Sequence, residues 1–277
     1  AEYIPIIRKW SNAKIAIRNH NVESLVWSRM IQKTKNPFKN IFFLLLAKKI
    51  KRYEFEQINN CDFLIPISKV DEKVFKNWGL QSKSISIPVG LSINKIIGEI
   101  PSSISISFVG ALDWLPNVQG LEWFISEVWI KHKLYKHTSF HVAGRNMPQG
   151  LMKRKLPGVT FYGEIPNAEE FIARHSIMVV PLFSGSGMRI KILEAMGLRK
   201  VVLSTNLGSE GIESTNDQDI VIVDSDICFY EKIINLINNP NKIIRIGENA
   251  QKLVEEKYEI NKVGFKLFTF YKNQLKM

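Results

Sequence analysis

Glycines, a lysine and a glutamate are spaced for anion chemistry in the stretch Phe183–Leu198, which reads F-S-G-S-G-M-R-I-K-I-L-E-A-M-G-L. Gly185 and Gly187 allow the backbone to approach a ligand closely, and unpaired N–H groups at the start of a helix suit an anion. If a helix begins near Gly187, its period of 3.6 residues places Lys191 and Glu194 on the same face as that glycine.

The spacing of this face fits a nucleoside diphosphate. At a rise of about 1.5 Å per residue, Glu194 lies on the order of 10 Å from the helix start. A phosphate bound at the start would leave Glu194 near a ribose, whose vicinal hydroxyls can donate to a carboxylate, while Lys191 neutralises phosphate charge. An ordinary surface ion pair on an amphipathic helix has the same spacing, so both interpretations stay open.

Glycines and polar residues follow the short apolar segments in the second half of the chain. These segments alternate with helical ones, which predicts a parallel sheet in βα order. The carboxyl ends of parallel strands meet at one edge, and that edge is predicted to bind a nucleotide. The segments are Ile104–Val109 before Gly110, Phe140–Ala143 before Gly144 and Arg145, Val159–Tyr162 before Gly163 and Ile165, Ile177–Leu182 before the glycine-containing loop, Val201–Leu203 before Ser204, and Ile220–Val223 before Asp224.

Composition indicates a globular protein without a membrane span. The chain has 277 residues, 45% of them hydrophobic and 23% charged, which is enough for two domains of roughly 100 to 150 residues. Cys61 and Cys228 lack metal-ligand spacing and favour reduced thiols in the cytoplasm. The net charge of +12 predicts an anionic partner. A nucleic acid is the weaker choice, because no helix-turn-helix, zinc or aromatic RNA-binding motif is recognisable.

A polar cluster after an early strand candidate makes His20 a site candidate. The apolar segment Ala13–Ile17 leads into R-N-H-N-V-E-S, and open α/β sheets bind ligands at the carboxyl ends of their strands. A lone histidine is more often a structural hydrogen-bonding group, so this alternative also stays open. Two further strands are predicted in this half, one at Ile58–Ile67 before a helix capped by Ser68, and one ending at Ile85–Gly90.

The segment Ile31–Tyr53 interleaves lysines with phenylalanines and a leucine run. Such a segment can lie in a membrane interface, where each basic residue near an anionic surface contributes about 1 kcal/mol. The alternative is a core helix with a solvated basic face. The predicted localisation is cytoplasmic. If this segment lies in a membrane interface, the chain is attached to the inner face of the membrane.

The stretch from Gly185, G-S-G-M-R-I-K-I-L-E-A-M-G-L-R-K-V-V-L-S-T, resembles the donor-binding segment of GT-B glycosyltransferases of the GT4 family, the glycosyl transferases group 1. It has the G-x-G-x-R-x-K-x-x-E-A-M form. The resemblance extends from about Ala13 to Tyr271. It implies an α/β fold of two Rossmann-like domains with parallel sheets.

The resemblance also implies the domain organisation. Residues 1–91 correspond to part of an amino-terminal, acceptor-side domain, 92–103 to a linker, 104–257 to the nucleotide-sugar-binding domain, and 258–277 to a helix that crosses back onto the first domain. A complete first domain would carry roughly 90 more residues before Ala1, so we expect an incomplete first domain and a fragment. The expected apolar anchors of the closing helices are Tyr258, Phe265, Phe268 and Tyr271.

The implied function is that of a retaining glycosyltransferase. It would move a sugar from a nucleotide-diphosphate sugar to a glycan or lipid-linked acceptor in cell-surface polysaccharide synthesis, with no metal and no cofactor. His20 would meet the donor sugar and Glu194 would hold the ribose as the catalytic pair. The implied donor-binding residues are Gly110, Arg145, Ile165, Gly185, Ser186, Gly187, Met188, Arg189, Lys191 and Glu194.

The chain departs from the family pattern at three positions. Ala111 and Pro116 stand where an arginine and a lysine are usual, and Ser186 replaces the first glutamate of the E-x7-E motif. A noncatalytic protein of the same fold that binds nucleotide sugars or polyanions is therefore the alternative. The diphosphate would need other cations: Lys191 first because it shares the face of Glu194, then Arg145, and Arg189 only if the first helical turn is irregular.

Overall fold

The computed structural model describes residues 2–31, 36–92 and 103–275. Within these ranges helices alternate with short strands. The elements in chain order are α1 (Ile4–Trp10), β1 (Ala16–Asn19), α2 (Glu23–Ile31), α3 (Pro37–Asn59), β2 (Phe63–Pro66), α4 (Lys69–Asn77), β3 (Lys83–Ser84), β4 (Ile106–Val109), α5 (Leu115–Trp123) with a π-helical continuation (Phe124–Ile130), a 3₁₀ turn (Leu134–Lys136), β5 (Phe140–Ala143), α6 (Gln149–Met152), β6 (Val159–Gly163), α7 (Ala168–Ala173), β7 (Ile177–Val180), α8 (Ile190–Gly197), β8 (Val201–Ser204), β9 (Val221–Ile222), α9 (Asp226–Asn238), α10 (Pro240–Lys257) and α11 (Ile260–Leu275).

The strands form two sheets, both entirely parallel. The first has the order β1-β2-β3, and the second the order β6-β5-β4-β7-β8-β9. The prediction of an α/β fold with parallel sheets is confirmed. In the second sheet the strand order reverses between β4 and β7, and ligands of open α/β sheets bind at such a switch point. The predicted linker at 92–103 falls almost entirely outside the described residues, and the domain boundaries stay a prediction.

Strand bounds in the first sheet differ from those predicted. β1 begins at Ala16, in register with Phe63 of β2, and Ile58 belongs to α3. β3 covers only Lys83 and Ser84. The segment beyond it stays extended, since the N–H of Ile87 still donates to β2 at 3.0 Å. Pairing partners therefore set these limits, which an apolar run alone does not reveal.

Helix α3 packs on one side and is exposed on the other. Asn36 caps its start by accepting from the N–H of Phe38, and Ala47 and Ile58 on its inner side are buried. A row of large apolar side chains on its outer side is exposed. None of the helices that the structure describes is both long and apolar enough to cross a membrane.

Helix α11 packs on the first sheet. Val263 is buried against Ile65 and Ile87, and Phe270 joins the same cluster. Tyr258 just before α11 is 1% exposed, as an anchor should be. Two predicted anchors are wrong: Phe265 is 70% and Phe268 61% exposed, because these two positions lie outside the helical face that carries residues 263, 267, 270 and 271.

Candidate functional site

The candidate site lies at the switch point of the second sheet. Gly110 follows β4 and the loop Phe183–Arg189 follows β7. The backbone is tightly packed at this edge: a Cβ atom on Gly144 would lie 1.8 Å from the carbonyl oxygen of Gly110, and a Cβ on Gly110 would lie 2.9 Å from the amide of Asn117. Gly144 therefore has to be glycine, whereas a Cβ at Gly110 would require the side chain of Asn117 to shift.

Helix α8 begins later than predicted. Its first residue is Ile190, and Arg189 is extended with φ −90° and ψ 94°. Gly185 and Gly187 have φ of +117° and +78°, values that glycine tolerates and an α-helix excludes. The prediction that the helix starts near Gly187 is therefore wrong. Gly187 belongs to the loop, and only Lys191 and Glu194 of the predicted face are helical.

Two arginines hold the carbonyl groups of this loop. Arg29, on α2, donates from Nη1 to the carbonyl oxygen of Gly185 at 2.7 Å. Arg189 donates from Nη1 to the carbonyl oxygens of Ser186 and Gly187. Across a trans peptide the C=O and the following N–H point in opposite directions. The N–H groups of Ser186, Gly187 and Met188 thus point away from the guanidinium groups.

The hydrogen bonding of these three N–H groups differs from that of the carbonyls. Among the residues that the structure describes, no acceptor receives the N–H of Ser186, Gly187 or Met188. Successive backbone N–H groups in a loop of mixed handedness form a concave site for an anion. The loop can therefore bind a phosphate without a helix at Gly187, which revises the expected geometry but keeps the expected chemistry.

Arg189 was a candidate cation only if the first turn of the helix is irregular, and its extended backbone before α8 meets that condition. Its side chain is 7% exposed, its Nε and Nη2 lack partners in the described part of the chain, and its guanidinium lies 5.8 Å from the ring centre of Trp114. Burial lowers its pKa to about 10. A buried cation with unmet donors favours an anion nearby.

Lys191 reaches back to the end of β4. Its Nζ donates to the carbonyl oxygen of Val109 at 3.0 Å and to Oδ1 of Asn117 at 3.2 Å. It thereby brings positive charge to the loop that Ala111 and Pro116 leave without cations. Burial, and then the neighbouring Arg189, lower the pKa of Lys191 to about 7.

Glu194 lies one turn further along α8. Burial, and next the carboxylate of Glu169, raise its pKa, while Lys191 lowers it. The side chain is half-buried. It lines a small cavity whose other walls are Leu91, Ser92, Glu169, Leu193, Gly197, Leu198 and Val254. A carboxylate at the rim of a cavity can accept hydrogen bonds from ribose hydroxyls.

The loop after β1 meets the loop after β7. The hydroxyl of Ser186 accepts from the N–H of Val22 at 3.3 Å, and a Cβ on Gly187 would lie 2.7 Å from the carbonyl oxygen of His20. His20 itself is exposed. Met188 is buried in a cluster that includes Ile67 of the first half. Both halves of the chain therefore border the site.

Arg145 and Ile165 lie in neighbouring loops of the same edge. The carbonyl oxygen of Arg145 accepts from the N–H of Leu112 at 2.9 Å, and its side chain is exposed. Ile165 follows β6 and is half-buried. The structure brings both residues to the correct edge, and their contacts with a ligand stay a prediction.

Three residues of the site were not predicted from the sequence. Asn117 links Lys191 to the carbonyl oxygen of Ala111, to which it donates at 2.9 Å. Trp114 stands beside Arg189. Arg29 comes from α2. The aromatic and amide residues directly after Gly110 were a local signal for the first two, whereas nothing in the sequence around Arg29 indicated its contact.

The described residues contain no group of three or more histidine, cysteine, aspartate or glutamate side chains arranged for a metal ion. Metal independence stays a prediction.

Known proteins resemble this chain in fold and in part of its sequence. The structure of TarM superposes with a TM-score of 0.74 at 14% identity, covering 94% of this chain and 51% of TarM. HepE from Anabaena, solved in complex with UDP-glucose, gives a TM-score of 0.71 at 13% identity over 97% of this chain and 74% of HepE. The chain thus spans about half the length of TarM. The fold is GT-B, as predicted.

A family model described as Glycosyl transferases group 1 matches residues 103–239. An uncharacterised 44.6 kDa protein in the cps region of Klebsiella pneumoniae is 27% identical over 267 residues, which are 91% of this chain and 67% of that protein. Residues 103–239 thus match the group 1 glycosyl transferases, and the resemblance recognised from the motif around Gly185 is confirmed.

Proposed function

We propose that this chain acts as a retaining glycosyltransferase in cell-surface polysaccharide synthesis, moving a sugar from a nucleotide-diphosphate sugar to a glycan or lipid-linked acceptor. The observation that carries the proposal is the row of N–H groups at Ser186, Gly187 and Met188 that lack partners among the described residues, together with the half-buried ammonium of Lys191 on the helix that follows them. The cps region of the Klebsiella relative supports the polysaccharide assignment. The retaining stereochemistry rests on the resemblance to the GT4 family.

The mechanism assigns the protein an electrostatic role. The bond between the anomeric carbon and the diphosphate breaks, so negative charge develops on the leaving phosphate oxygens. Preorganised donors aimed at developing charge are usually the largest catalytic contribution. The loop N–H groups and Lys191 supply those donors, while Arg189 holds the loop carbonyls on the opposite side. Glu194 accepts from the ribose, and His20 borders the sugar. Arg145 is a further cation at this edge.

We propose that the reaction needs no metal ion and no cofactor. Fixed cations and backbone dipoles can take the place that a divalent cation has in other transferases, because both stabilise diphosphate charge. Treatment with a chelator should leave transfer unchanged. A loss of activity that Mg²⁺ or Mn²⁺ restores would contradict this point.

Calorimetry against UDP-, GDP- and ADP-sugars tests the donor assignment. UDP-sugars come first, since HepE was solved with UDP-glucose. We expect one nucleotide class to bind, and Glu194→Ala to weaken binding of the nucleotide sugar of that class. Donor hydrolysis by the wild type and its loss in Glu194→Ala would distinguish an enzyme from the noncatalytic alternative. Binding without turnover in any acceptor assay would favour that alternative.

We also propose that α3 attaches the chain to the cytoplasmic face of a membrane. Phe38, Ile41, Phe42 and Leu45 are between 58% and 82% exposed, and their spacing places them on one helical face. Lysines and an arginine continue this face toward the carboxyl end of α3. An apolar row followed by cations complements an anionic lipid surface. The cationic residues are Lys48, Lys49 and Arg52.

Sedimentation with vesicles containing phosphatidylglycerol tests this attachment. We expect binding that weakens as salt rises, because the Debye length is about 10 Å at 0.1 M. Replacing Phe38 and Phe42 by serine should abolish it. The matched control replaces Phe265 and Phe268, which are equally exposed on α11. Binding that is absent at low salt, or that survives the α3 substitutions, would contradict the proposal.

A further inference from the structure

The loop that carries the unpaired N–H groups is held by a residue from the other half of the chain. Arg29 on α2 forms a fork with Glu210, with Nη1 and Nη2 at 2.6 and 2.8 Å from the two carboxylate oxygens. Its Nη1 also donates to the carbonyl oxygen of Gly185 at 2.7 Å. Arginine suits this position because its planar guanidinium serves several acceptors at fixed angles.

Four charges from the two halves surround this contact. Arg29 and Asp71 come from the first half, and Arg189 and Glu210 from the second. Asp71 is 2% exposed and interacts electrostatically with all three of the others. The cluster carries two positive and two negative charges, so it adds no net attraction for a diphosphate. Its effect on a ligand must arise from the geometry that it imposes.

The imposed geometry concerns the peptide between Gly185 and Ser186. Because Arg29 fixes the carbonyl oxygen of Gly185 toward α2, the N–H of Ser186 points to the opposite side. The next two carbonyls are fixed in the same manner by Arg189. If Arg29 were lost, glycine's freedom would allow this peptide to rotate. One of the three N–H donors would then leave the anion site.

We propose that Arg29 is a positioning residue that presets the loop Gly185–Met188 for the diphosphate of the nucleotide. The inference rests on the proposed function and extends it: a residue of α2, in the first half of the chain, controls diphosphate affinity in the second half. Arg29 has no contact with the ligand in this role. It acts through the Gly185 carbonyl and is anchored by Glu210.

Calorimetry with UDP, GDP and ADP on the full chain tests the inference. We expect Arg29→Ala to lower the affinity for the nucleoside diphosphate that binds by about tenfold, because an oriented hydrogen-bond donor to the phosphate is lost. The affinity for the corresponding nucleoside should not change, which a general structural defect would not allow. Affinity of Arg29→Lys should lie between that of Arg29→Ala and the wild type, since an ammonium lacks the planar fork that holds both oxygens of Glu210 and the Gly185 carbonyl at fixed angles. Arg154→Ala, which removes the exposed pair with Glu122 at 2.6 Å, is the matched control.

Glu210→Gln separates positioning from simple charge. Removing a negative charge near the site would tighten diphosphate binding if only charge mattered. Positioning predicts weaker binding, because Arg29 loses its anchor. Tighter binding by Glu210→Gln, or equal binding by Arg29→Ala and the wild type, would overturn the role of Arg29 and leave the proposed function standing. If the wild type bound none of the three nucleotides, both the inference and the proposed function would fail.

Thermal unfolding of each variant verifies that every variant is folded when its affinity is measured. If Arg29→Ala does not fold, Glu210→Gln provides the test.

Discussion

The two ends of the six-stranded sheet both bury ionisable side chains, but they differ in how those side chains are paired. At the carboxyl end, Lys191 and Arg189 lie beside the unpaired N–H groups of residues 186–188, and Arg189 retains two donors without partners in the described chain. At the amino end, His175 and His141 are stacked at 4.4 Å between ring centres and have hydrogen-bond partners.

The partners at the amino end are internal. His175 shares a hydrogen bond with Ser105 at 2.9 Å, and His141 shares one with the hydroxyl of Tyr162 at 2.9 Å. Burial lowers the pKa of His175 to about 4, as it lowers that of Lys191 to about 7. A shifted pKa therefore occurs at both ends, and the hydroxyl of Ser176 at the amino end also lacks a partner in the described chain. What distinguishes the carboxyl end is a buried cation, Arg189, with unmet donors close to a row of backbone N–H groups without acceptors, which makes that end the candidate ligand site.

The largest expected effect on nucleotide binding comes from Lys191→Ala. Losing a charge-assisted hydrogen bond to phosphate costs roughly 1.5 to 3 kcal/mol, which weakens binding on the order of 10- to 100-fold. Calorimetry with the nucleoside diphosphate that binds measures it. Lys272→Ala removes a lysine from α11 and should leave the affinity unchanged. Equal affinities for the two variants would return Lys191 to the role of an ordinary surface lysine.

Gly187→Ala should weaken binding by about tenfold, because it displaces one N–H donor of the loop. Its φ of +78° strains any other residue, and the new Cβ would lie 2.7 Å from the carbonyl oxygen of His20. Stability should fall by about 1 to 3 kcal/mol. Gly264→Ala on α11 meets nothing within 4 Å and serves as the control. An unchanged affinity in Gly187→Ala would show that the loop geometry is not needed.

Much of the second sheet was predictable because local signals agree with its fold. Strand β5 was expected at Phe140–Ala143 and is found there, and the strand-end glycines do lie at one edge. Apolar segments that are followed by glycines indicate both where a strand lies and where it ends. The same signals do not give the strand bounds of the first sheet, because Ile58 continues helix α3 and β3 ends at Ser84.

The site was predictable only where it is local in sequence. Lys191 and Glu194 lie three residues apart on one helix, so spacing sufficed. The start of α8 depends on positive φ at Gly185 and Gly187, and tertiary contacts stabilise that conformation. Arg29 lies 156 residues from Gly185. No local pattern connects residues so far apart, and only the assembled fold shows that they meet.

The pH dependence of binding offers a smaller effect. The pKa of Lys191 is about 7 in the free protein, and a bound diphosphate should raise it by favouring the ammonium. Affinity should therefore fall severalfold between pH 7.5 and 9, since binding then requires proton uptake by Lys191. Calorimetry in two buffers of different ionisation enthalpy measures that uptake. A Lys191→Ala variant with the same pH slope as the wild type would assign the effect to another group.

The smallest expected effect on binding is that of His175→Gln at the amino end. Glutamine can keep a hydrogen bond to Ser105, so nucleotide affinity should match that of the wild type. Stability should change in its pH dependence instead. Burial and the nearby charges of His141, Lys200 and Arg174 hold the pKa of His175 at about 4, below its ordinary 6.5.

The sign of that dependence follows from proton uptake. Between pH 6.5 and 4 the unfolded chain protonates His175 while the folded chain does not, so wild-type stability should decrease as pH falls through this window. His175→Gln should lose that part of the slope, as urea unfolding at pH 7 and pH 5 would measure. Identical slopes would show that His175 does not titrate differently on folding. A folded His175→Gln protein with clearly weakened nucleotide binding would break the distinction between the two ends of the sheet.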